Sequence, residues 1–263
     1  MNNLTLVKLG GSLITDKRRE RAFLSDRVEM LANVVKSALA TEPDLPLIVG
    51  HGSGSFGHMA AKRHGTVHGV VSSAAWQGFS EVALAAADLN ALVAHAFAHV
   101  GLPVMRLQPS ASTRCQDGAL VHWDLGAIEN ALAHGLLPLI HGDVAFDEVR
   151  GGTITSTETL FFYLAEHQPV NRILLLGEVE GVLDLAGQRI ERITPETLPE
   201  IEAALHGSAG TDVTGGMETK VRDMVGLVQR VPGLEVHILD GRTPDRVRNA
   251  LLGLANEGTL ISA

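Results

Sequence analysis

The sequence has little of several residue types, and each shortage argues against a class of protein. Cys115 is the only cysteine among 263 residues, so no disulfide can form within the chain, as is typical of a protein of the reducing cytoplasm. Acidic residues outnumber basic ones by 30 to 21, and the resulting net charge of −9 disfavours a nucleic-acid-binding protein because a polyanion would be repelled. Aromatic residues make up only 4% of the chain, which gives little support to a base-stacking surface.

Long hydrophobic runs and several catalytic signatures are also missing. No run of about 18 apolar residues occurs, so we expect no membrane span. The N-terminal stretch "MNNLTLVKLGGS" has no basic segment followed by an apolar run, so we expect no signal peptide. We find no HExxH motif, no Cys/His cluster and no nucleophile elbow in a fitting context, which disfavours a zinc site and a serine hydrolase.

Short apolar runs alternate with helical patterns along the chain. The runs that predict strands are Leu4–Gly10, Leu45–Gly50, Leu102–Leu107, Leu136–Gly142, Arg172–Gly177 and Glu235–Gly241. They are mostly continuous rather than alternating, which is typical of central strands that are covered on both faces. We therefore predict an α/β fold, a three-layer α/β/α sandwich around a mainly parallel central sheet.

Helical patterns fill the intervals between these strands. Ser25 and Asp26 resemble caps of a helix that runs through Ala40, and an alanine-rich pattern predicts a long helix from Ser72 to about Val100. Further helices are predicted at Glu158–Glu166, Gly216–Val231 and Asp245–Leu252. We predict a hairpin or loop at Asp147–Ser156 that joins the two halves of the chain. A boundary near Asn171 divides one continuous sheet into two lobes, residues 1–170 and 171–263.

Two strands are each followed by a glycine loop. The first loop lies in "VKLGGSLITDK" (7–17), and the second lies in "IVGHGSGSFGH" (48–58). Glycines between a strand and a helix leave backbone N–H groups free to bind phosphate. The spacing fits neither a P-loop nor a dinucleotide fingerprint, and glycine after a strand also serves in ordinary turns.

Three lysines and one histidine lie close to these glycines in the sequence. Lys8 interrupts an apolar strand, where an ammonium group needs an anionic partner or a route to water. Lys17 follows the first loop, and Lys220 follows the glycines of "TDVTGGMETK" (211–220). His58 closes the second loop, so its ring can reach whatever the loop holds. Together these residues can surround a polyphosphate, although each lysine alone is equally a solvated side chain.

The motifs resemble those of the amino acid kinase superfamily and, within it, the isopentenyl phosphate kinases. "GHGSGSFGH" (50–58) is similar to the family's "HGGGSFGH", with Ser53 in place of one glycine, and "LIHGDV" (139–144) and "DVTGGMETKV" (212–221) also match. The Phe-Gly-His ending is the most specific match, because acetylglutamate and uridylate kinases lack that histidine. The resemblance covers nearly the whole chain. It implies the amino acid kinase fold and a homodimer that uses ATP and Mg²⁺ to phosphorylate isopentenyl phosphate in isoprenoid biosynthesis.

The resemblance also implies roles for individual residues. The first lobe would bind the acceptor and the second would bind ATP. The residues implied in catalysis are Lys8, Lys17, His58 and Lys220. Those implied in binding ATP are Lys8, Gly10, Gly11, Ser12, Gly54, Gly177, Glu178, Gly181, Asp212, Gly215, Gly216 and Lys220. Those implied in binding the substrate are Ser53, Gly54, His58, Phe79, Val82, Ala83, Gly142 and Asp143.

Two of these assignments have alternatives. Phe79, Val82 and Ala83 share one side of a helix by their spacing, and they either line an apolar pocket for the five-carbon tail or belong to the ordinary core. Asp143 either borders the acceptor or orients a lysine, since a carboxylate beside a phosphate would repel it.

Two departures from the family pattern keep other functions open. "STET" (156–159) stands where the family has "SGDD", so Glu158 keeps one carboxylate and Thr159 replaces the second. "GEVEGVL" (177–183) stands where the family has "TDVDGVY". The alternatives are a kinase for another small phosphate or phosphonate, such as fosfomycin, and a catalytically weak nucleotide-binding homologue. A structural interaction protein would leave the buried lysine and the repeated glycine turns unexplained.

Overall fold

The computed structural model describes residues 4–205, 216–254 and 258–263. Within these ranges the chain forms twelve strands, which are β1 (Leu4–Leu9), β2 (Leu47–His51), β3 (Val104–Arg106), β4 (Thr113–Gln116), β5 (Ala119–Trp123), β6 (Leu137–His141), β7 (Asp143–Asp147), β8 (Gly151–Thr155), β9 (Val170–Gly177), β10 (Arg192–Ile193), β11 (Glu235–Asp240) and β12 (Thr259–Ile261). The same ranges contain nine α-helices, which are α1 (Gly11–Ile14), α2 (Ser25–Thr41), α3 (Gly54–His64), α4 (Ser73–His99), α5 (Gly126–Ala133), α6 (Thr157–His167), α7 (Leu198–Leu205), α8 (Gly216–Arg230) and α9 (Pro244–Leu252).

The strands form two sheets. The larger has eight strands in the order β10-β12-β11-β9-β1-β2-β6-β3, and the smaller has four in the order β5-β4-β7-β8. Every neighbouring pair in the larger sheet is parallel except β11 with β12. The predicted mainly parallel sheet is confirmed, and β1, β2, β3, β6, β9 and β11 coincide with the six apolar runs.

Both faces of the larger sheet are covered, which confirms the three-layer sandwich. In β1 the side chains of Val7 and Leu9 join a core that includes residues of α2, α4 and α9. Leu4 and Leu6 point to the opposite face and join a core that includes residues of α6 and α8. Because side chains alternate along a strand, Lys8 projects on the same face as Leu4 and Leu6, toward α6 and α8.

The predicted alanine-rich helix is confirmed as α4. It begins after Ser72, whose Oγ accepts a hydrogen bond from the Ala75 N–H at 3.1 Å. Among the described residues α4 alone is long and apolar enough to cross a membrane, with a mean hydropathy of 1.3 over its most apolar window, 44% of which is buried inside the protein. Its buried residues include Leu89, Val93 and Phe97, which pack in the core on one face of the larger sheet. A helix that lies in the core of a protein can have this same length and composition, so these two properties alone do not identify α4 as a membrane span.

The second sheet was only partly predicted. The predicted hairpin at Asp147–Ser156 corresponds to β7 and β8, which pair antiparallel. The hairpin of β4 and β5 was not predicted, although its turn is an Asp-Gly pair, with Asp117 at φ +49° and Gly118 at φ +84°. That dipeptide favours such a turn because both central residues need positive φ.

One local prediction needs correction, and one stays untested. Helix α2 begins at Ser25 itself, with Leu24 at the N-cap position, so Ser25 and Asp26 are not its caps. The helix after the first glycine loop is a single turn of four residues. The division into lobes 1–170 and 171–263 falls inside β9, and the eight-stranded sheet continues across it, so the two lobes remain a prediction.

Burial of His141 at the end of β6 makes stability depend on pH. Its ring is 1% exposed, and neither ring nitrogen has a hydrogen-bond partner among the described residues. Burial, assisted by the charge of Arg106, lowers the pKa of His141 from 6.5 to about 4. Between pH 6.5 and 4 the unfolded chain therefore binds a proton at His141 that the folded protein does not bind. Stability is consequently lost as the pH falls toward 4.

We predict that His141→Leu makes the free energy of unfolding less dependent on pH. The wild-type protein should lose on the order of 3 kcal/mol more than the variant between pH 6.5 and 4, because each pKa unit corresponds to about 1.4 kcal/mol. Urea unfolding at several pH values in this window measures the difference. Parallel curves for the two proteins would contradict the prediction.

Candidate active site

The two glycine loops meet at the carboxyl ends of the neighbouring strands β1 and β2. A methyl group on Gly11 would lie 2.8 Å from the Cα of Gly54, a distance that no real side chain tolerates. The Gly10 N–H donates to the Leu176 carbonyl of β9 at 2.8 Å, and a methyl group on Gly10 would lie 2.6 Å from that oxygen. These glycines are therefore needed for close approach, and they bring the first loop against both the second loop and the end of β9.

Thr15 joins the two loops through one hydroxyl group. Its Oγ1–H donates to the Gly11 carbonyl at 2.7 Å, and the same oxygen accepts the Ser55 N–H at 2.9 Å. The residue is 1% exposed, so both bonds form away from water. One buried side chain thus fixes the distance between the loops.

Several backbone donors of the loops are left available. Among the described residues, no acceptor is found for the N–H groups of Gly11, Ser12, Ser53 and Gly54. The last two lie at the start of α3, where the positive end of the helix dipole favours an anion. The loops therefore offer the kind of donor array that holds phosphate oxygens.

Two lysines converge on one carboxylate beside the loops. Lys8 of β1 is 9% exposed, and its Nζ donates to Oε1 of Glu158 in the first turn of α6. Lys220 in the first turn of α8 places its Nζ 3.7 Å from the same oxygen. Helix α6 comes close to the sheet here because Thr157 and Phe161 pack over Gly50, where a Cβ atom would lie within 2.8 Å of both.

The charge state of this trio follows from its surroundings. Burial raises the pKa of Glu158, but the charges of Lys8 and Lys220 and the hydrogen bond from Lys8 outweigh it and hold the pKa at about 2. Glu158 is therefore ionised at neutral pH, and the two ammonium groups leave the cluster with a net positive charge. The anionic partner that Lys8 was predicted to need is Glu158.

His58 lies on the exposed side of α3, one turn beyond the second loop. Its Nδ1 and the Ser53 Oγ are 2.8 Å apart, within hydrogen-bond distance. Ser53 is the residue that replaces a glycine of the resembled motif. The replacement therefore adds a polar contact to His58 that a glycine could not make.

The other residues predicted to bind or act on ATP lie at several positions along the same edge of the larger sheet. Gly177 ends β9, and Glu178 and Gly181 follow it. Gly216 begins α8 at φ +70°. Lys17 lies in an exposed turn after α1, and the contacts described above do not include it. Asp212 and Gly215 lie outside the described residues.

The predicted residues on the acceptor side include Gly142 and Asp143, at the junction of β6 and β7. Gly142 links β6 to β7, and its N–H donates to the His51 carbonyl at 3.3 Å. The Asp143 carboxylate accepts the N–H groups of Ser110 at 3.2 Å and Val144 at 2.8 Å. Burial raises the pKa of Asp143. These contacts do not test whether Asp143 borders the acceptor or orients a lysine, so both alternatives stay predictions.

The residues predicted to line a tail pocket occupy one side of α4. Phe79 and Val82 are 7% and 3% exposed and belong to the core, and Ala83 packs against it. Phe79 also contacts two aromatic rings that are partly open to solvent, those of Trp76 at 5.2 Å and Phe146 at 5.4 Å between centroids. These side chains form an apolar surface that continues from the core to the solvent.

Three residues of this site were not in the predicted set. The sequence does carry a signal for Glu158, because Lys8 needs a carboxylate and "STET" (156–159) contains one. Thr15 and His51 carry no sequence signal of this kind, since their importance rests on hydrogen bonds between segments that are far apart in the chain.

Comparison with known proteins identifies the family. The amino acid kinase family matches residues 3–240 of this chain. The chain belongs to the amino acid kinase family. Among relatives of this amino acid kinase, the isopentenyl phosphate kinase of Methanocaldococcus jannaschii is 32% identical over 264 residues, which cover 98% of each chain. That of Haloferax volcanii is 36% identical over 233 residues, which cover 86% of this chain and 88% of the relative.

A solved isopentenyl phosphate kinase structure also superposes on this amino acid kinase. The TM-score is 0.82 at 27% sequence identity, and the match covers 99% of this chain and 100% of the other. The resemblance inferred from the motifs and the predicted fold are both confirmed. This amino acid kinase is a phosphotransferase.

We predict that Glu158→Gln lowers ATP-dependent turnover by about tenfold or more. The amide keeps the shape of the side chain but cannot hold two ammonium groups, which then repel each other. Steady-state kinetics measures the loss, and circular dichroism checks the fold. Glu166→Gln is the matched control, because Glu166 lies in the same helix and pairs with Arg230 at the surface at 2.8 Å. Equal turnover in the two variants would show that Glu158 does not organise the lysines.

Proposed function

We propose that the protein transfers the γ-phosphoryl group of ATP to isopentenyl phosphate and so forms isopentenyl diphosphate and ADP. The observation that carries this proposal is the Lys8–Glu158–Lys220 cluster beside two glycine loops, with His58 one helical turn beyond the second loop. Relatives named isopentenyl phosphate kinase at 32% and 36% identity support the choice of acceptor.

The chemistry needs no general base. A phosphate monoester has a second pKa of about 6, so the attacking oxygen is already anionic at neutral pH. The obstacle is to bring two anions together in line and to stabilise the charge on the transferring group. Preorganised N–H groups and ammonium groups meet both needs without reorganisation during the reaction.

The donor phosphates would be held by the first loop and the lysines. Gly10, Gly11 and Ser12 provide the cradle, in which two backbone N–H groups point to no acceptor within the described chain. Lys8 and Lys220 neutralise the β-phosphate and the transferring group. Lys17, in its exposed turn, helps at the γ-phosphate.

The acceptor phosphate would be held by the second loop. A ring N–H of His58 binds it and positions it, and the nearby Ser53 hydroxyl sets the orientation of the ring. Gly54 lies where donor and acceptor meet, since it is the glycine packed against Gly11. Gly142 and Asp143 border the acceptor from β6 and β7.

The adenosine of ATP would lie along the second half of the sheet edge. Gly177, Glu178 and Gly181 border it after β9, and Gly216 borders it at the start of α8. Asp212 and Gly215 belong to the same proposed set.

Magnesium is expected with ATP, and the substrate phosphates would supply much of its coordination. No group of three histidine, cysteine, aspartate or glutamate side chains that could hold a metal ion occurs among them. Glu158, the carboxylate nearest the lysines, is already bound to Lys8. Mg²⁺ is commonly held by substrate phosphates with one or two carboxylates, so no step above is assigned to it.

One observation favours a catalytically weaker homologue as the second candidate. Thr159, which replaces a family carboxylate, places its Oγ1 2.9 Å from the Ser156 Oγ, and its N–H donates to that oxygen at 3.0 Å. These contacts cap α6 and add no charge to the site. Nucleotide binding without turnover of any acceptor would favour this candidate.

We also propose a homodimer in a reducing compartment such as the cytoplasm. Leu84 and Leu92 of α4 are 63% and 37% exposed and lie two helical turns apart, which makes α4 a candidate contact surface. Cys115, the only cysteine, is buried and free. Sedimentation equilibrium tests the dimer, and a monomeric mass would remove it.

We predict ATP consumption with isopentenyl phosphate and its loss in His58→Ala. The assay compares isopentenyl, dimethylallyl and geranyl phosphates and fosfomycin at matched concentrations. Loss of the contacts of His58 in the transition state should lower kcat/KM about a hundredfold or more. His122→Ala, at an exposed position in β5, is the control and should retain activity. Preference for fosfomycin would replace the proposed acceptor, and near wild-type kcat/KM in His58→Ala would remove the positioning role.

We predict that Phe79→Ala extends the chain length of the accepted substrate. Removing the ring opens space between Trp76, Phe146 and Gly152, where a Cβ atom on Gly152 would lie 2.7 Å from the Phe79 ring. The ratio of kcat/KM for geranyl phosphate to that for isopentenyl phosphate should rise. Phe97→Ala, in the same helix but wholly buried in the core, is the control for general loss of packing. An unchanged ratio in Phe79→Ala would assign Phe79 to the core alone.

A further inference from the structure

His51, the last residue of β2, lies in a chain of hydrogen bonds beneath the second glycine loop. Arg106 Nε donates to Asn90 Oδ1 at 2.8 Å, Asn90 Nδ2 is 3.0 Å from His51 Nε2, and His51 Nδ1 is 3.0 Å from the Gly52 carbonyl oxygen. Asn90 is 1% exposed and His51 is wholly buried. The chain therefore runs from the exposed Arg106 of β3 through two buried side chains to the loop.

The two ends of the chain determine its direction. Arginine can only donate, so the Asn90 oxygen faces Arg106 and the Asn90 amide N–H₂ faces His51. The His51 Nε2 must then accept, which leaves the ring proton on Nδ1. A carbonyl can only accept, so the Gly52 oxygen suits that proton. Every bond in this His51 relay (Arg106, Asn90 and His51) therefore donates toward the loop.

His51 stays neutral in this position. Its ring stacks on His141 of β6 with centroids 5.6 Å apart, and Lys8 of β1 and Arg106 of β3 are the cations that act on it. Burial and then the influence of His141 lower its pKa to about 3, against the opposing effect of the Gly52 carbonyl. The ring therefore keeps one donor and one acceptor throughout the neutral pH range.

The relay fixes the orientation of one loop peptide. Because a trans peptide is planar, the Ser53 N–H points opposite to the Gly52 carbonyl. With that carbonyl held toward His51, the N–H points away from the buried ring, and it has no acceptor among the described residues. A reversed peptide would turn the carbonyl oxygen outward instead, where it would repel phosphate.

We propose that His51 is a positioning residue for phosphoryl transfer, holding the Gly52 carbonyl toward the core so that the Ser53 N–H faces the reactant phosphates. This inference rests on the proposed function. Asn90 and Arg106 act through His51 by fixing which ring nitrogen carries the proton.

Two substitutions at His51 separate the two ring nitrogens. The amide nitrogen of asparagine falls close to the position of Nδ1, whereas that of glutamine falls close to Nε2. His51→Asn therefore keeps a donor to Gly52, and His51→Gln loses it. We expect kcat to be about tenfold lower in His51→Gln than in His51→Asn, the effect of one buried hydrogen bond.

His237 provides the matched control. It is a histidine of β11 that is 4% exposed, and its ring nitrogens have no hydrogen-bond partner among the described residues. The same pair of substitutions there measures the cost of placing an amide at a buried histidine position. We expect His237→Asn and His237→Gln to have equal kcat, and equal kcat for the two His51 variants would overturn the proposal.

The position of the proton is a second test, which requires no turnover. Nitrogen-15 NMR of the wild-type protein should place the His51 proton on Nδ1, and a proton on Nε2 would overturn the proposal. In Asn90→Asp the side chain cannot donate, so the proton should move to Nε2 and kcat should fall about as far as in His51→Gln. If no acceptor is phosphorylated, the proposed function fails, while the NMR measurement still decides whether the relay exists.

Discussion

The arrangement of this site depends on the buried ammonium group of Lys8. A lysine in a central strand is costly unless a carboxylate meets it, and Glu158 of α6 does so from a position 150 residues away in the sequence. The same carboxylate lies near Lys220, so one ion pair brings β1, α6 and α8 to a common point. The three side chains together carry one positive charge in excess. In a protein with a net charge of −9, this local excess would favour the approach of two anionic reactants to the same place.

Parallel strands explain why the glycine loops face each other. β1 and β2 are neighbours that run in the same direction, so the loops that follow them leave the sheet at the same edge. Glycine then permits contact between the loop backbones, and the Thr15 hydroxyl fixes their separation. The N–H groups that we propose for binding phosphate and the lysines that we propose for neutralising it therefore reach one place through different constraints, backbone packing for the former and ion pairing for the latter.

Much of the fold could be predicted from the sequence, but less of the site could. Continuous apolar runs identified six strands of the larger sheet, since strands buried on both faces leave that pattern. β4 is short and half exposed, so its sequence "TRCQ" carries no such pattern, and only the Asp117-Gly118 turn indicated its hairpin. In the site, the need of Lys8 for a carboxylate was predictable, whereas the choice of Glu158 depended on the packing of α6 over Gly50. The role of Lys17 remains a prediction.

The two faces of the sheet contribute different kinds of polar group to the same edge. Lys8 projects toward α6 and α8, where it meets Glu158 and where we propose that its charge acts on phosphates. His51 projects toward α4 and stays neutral, because burial and then His141 lower its pKa, and the charges of Lys8 and Arg106 act in the same direction. A protonated His51 would keep its Nδ1–H bond to the Gly52 carbonyl, but its Nε2–H would face the Asn90 amide N–H₂, and the bond between these two side chains would be lost. Charge on one face of the sheet and its exclusion from the other are thus linked, since Lys8 adds to the burial that keeps His51 neutral and able to accept from Asn90.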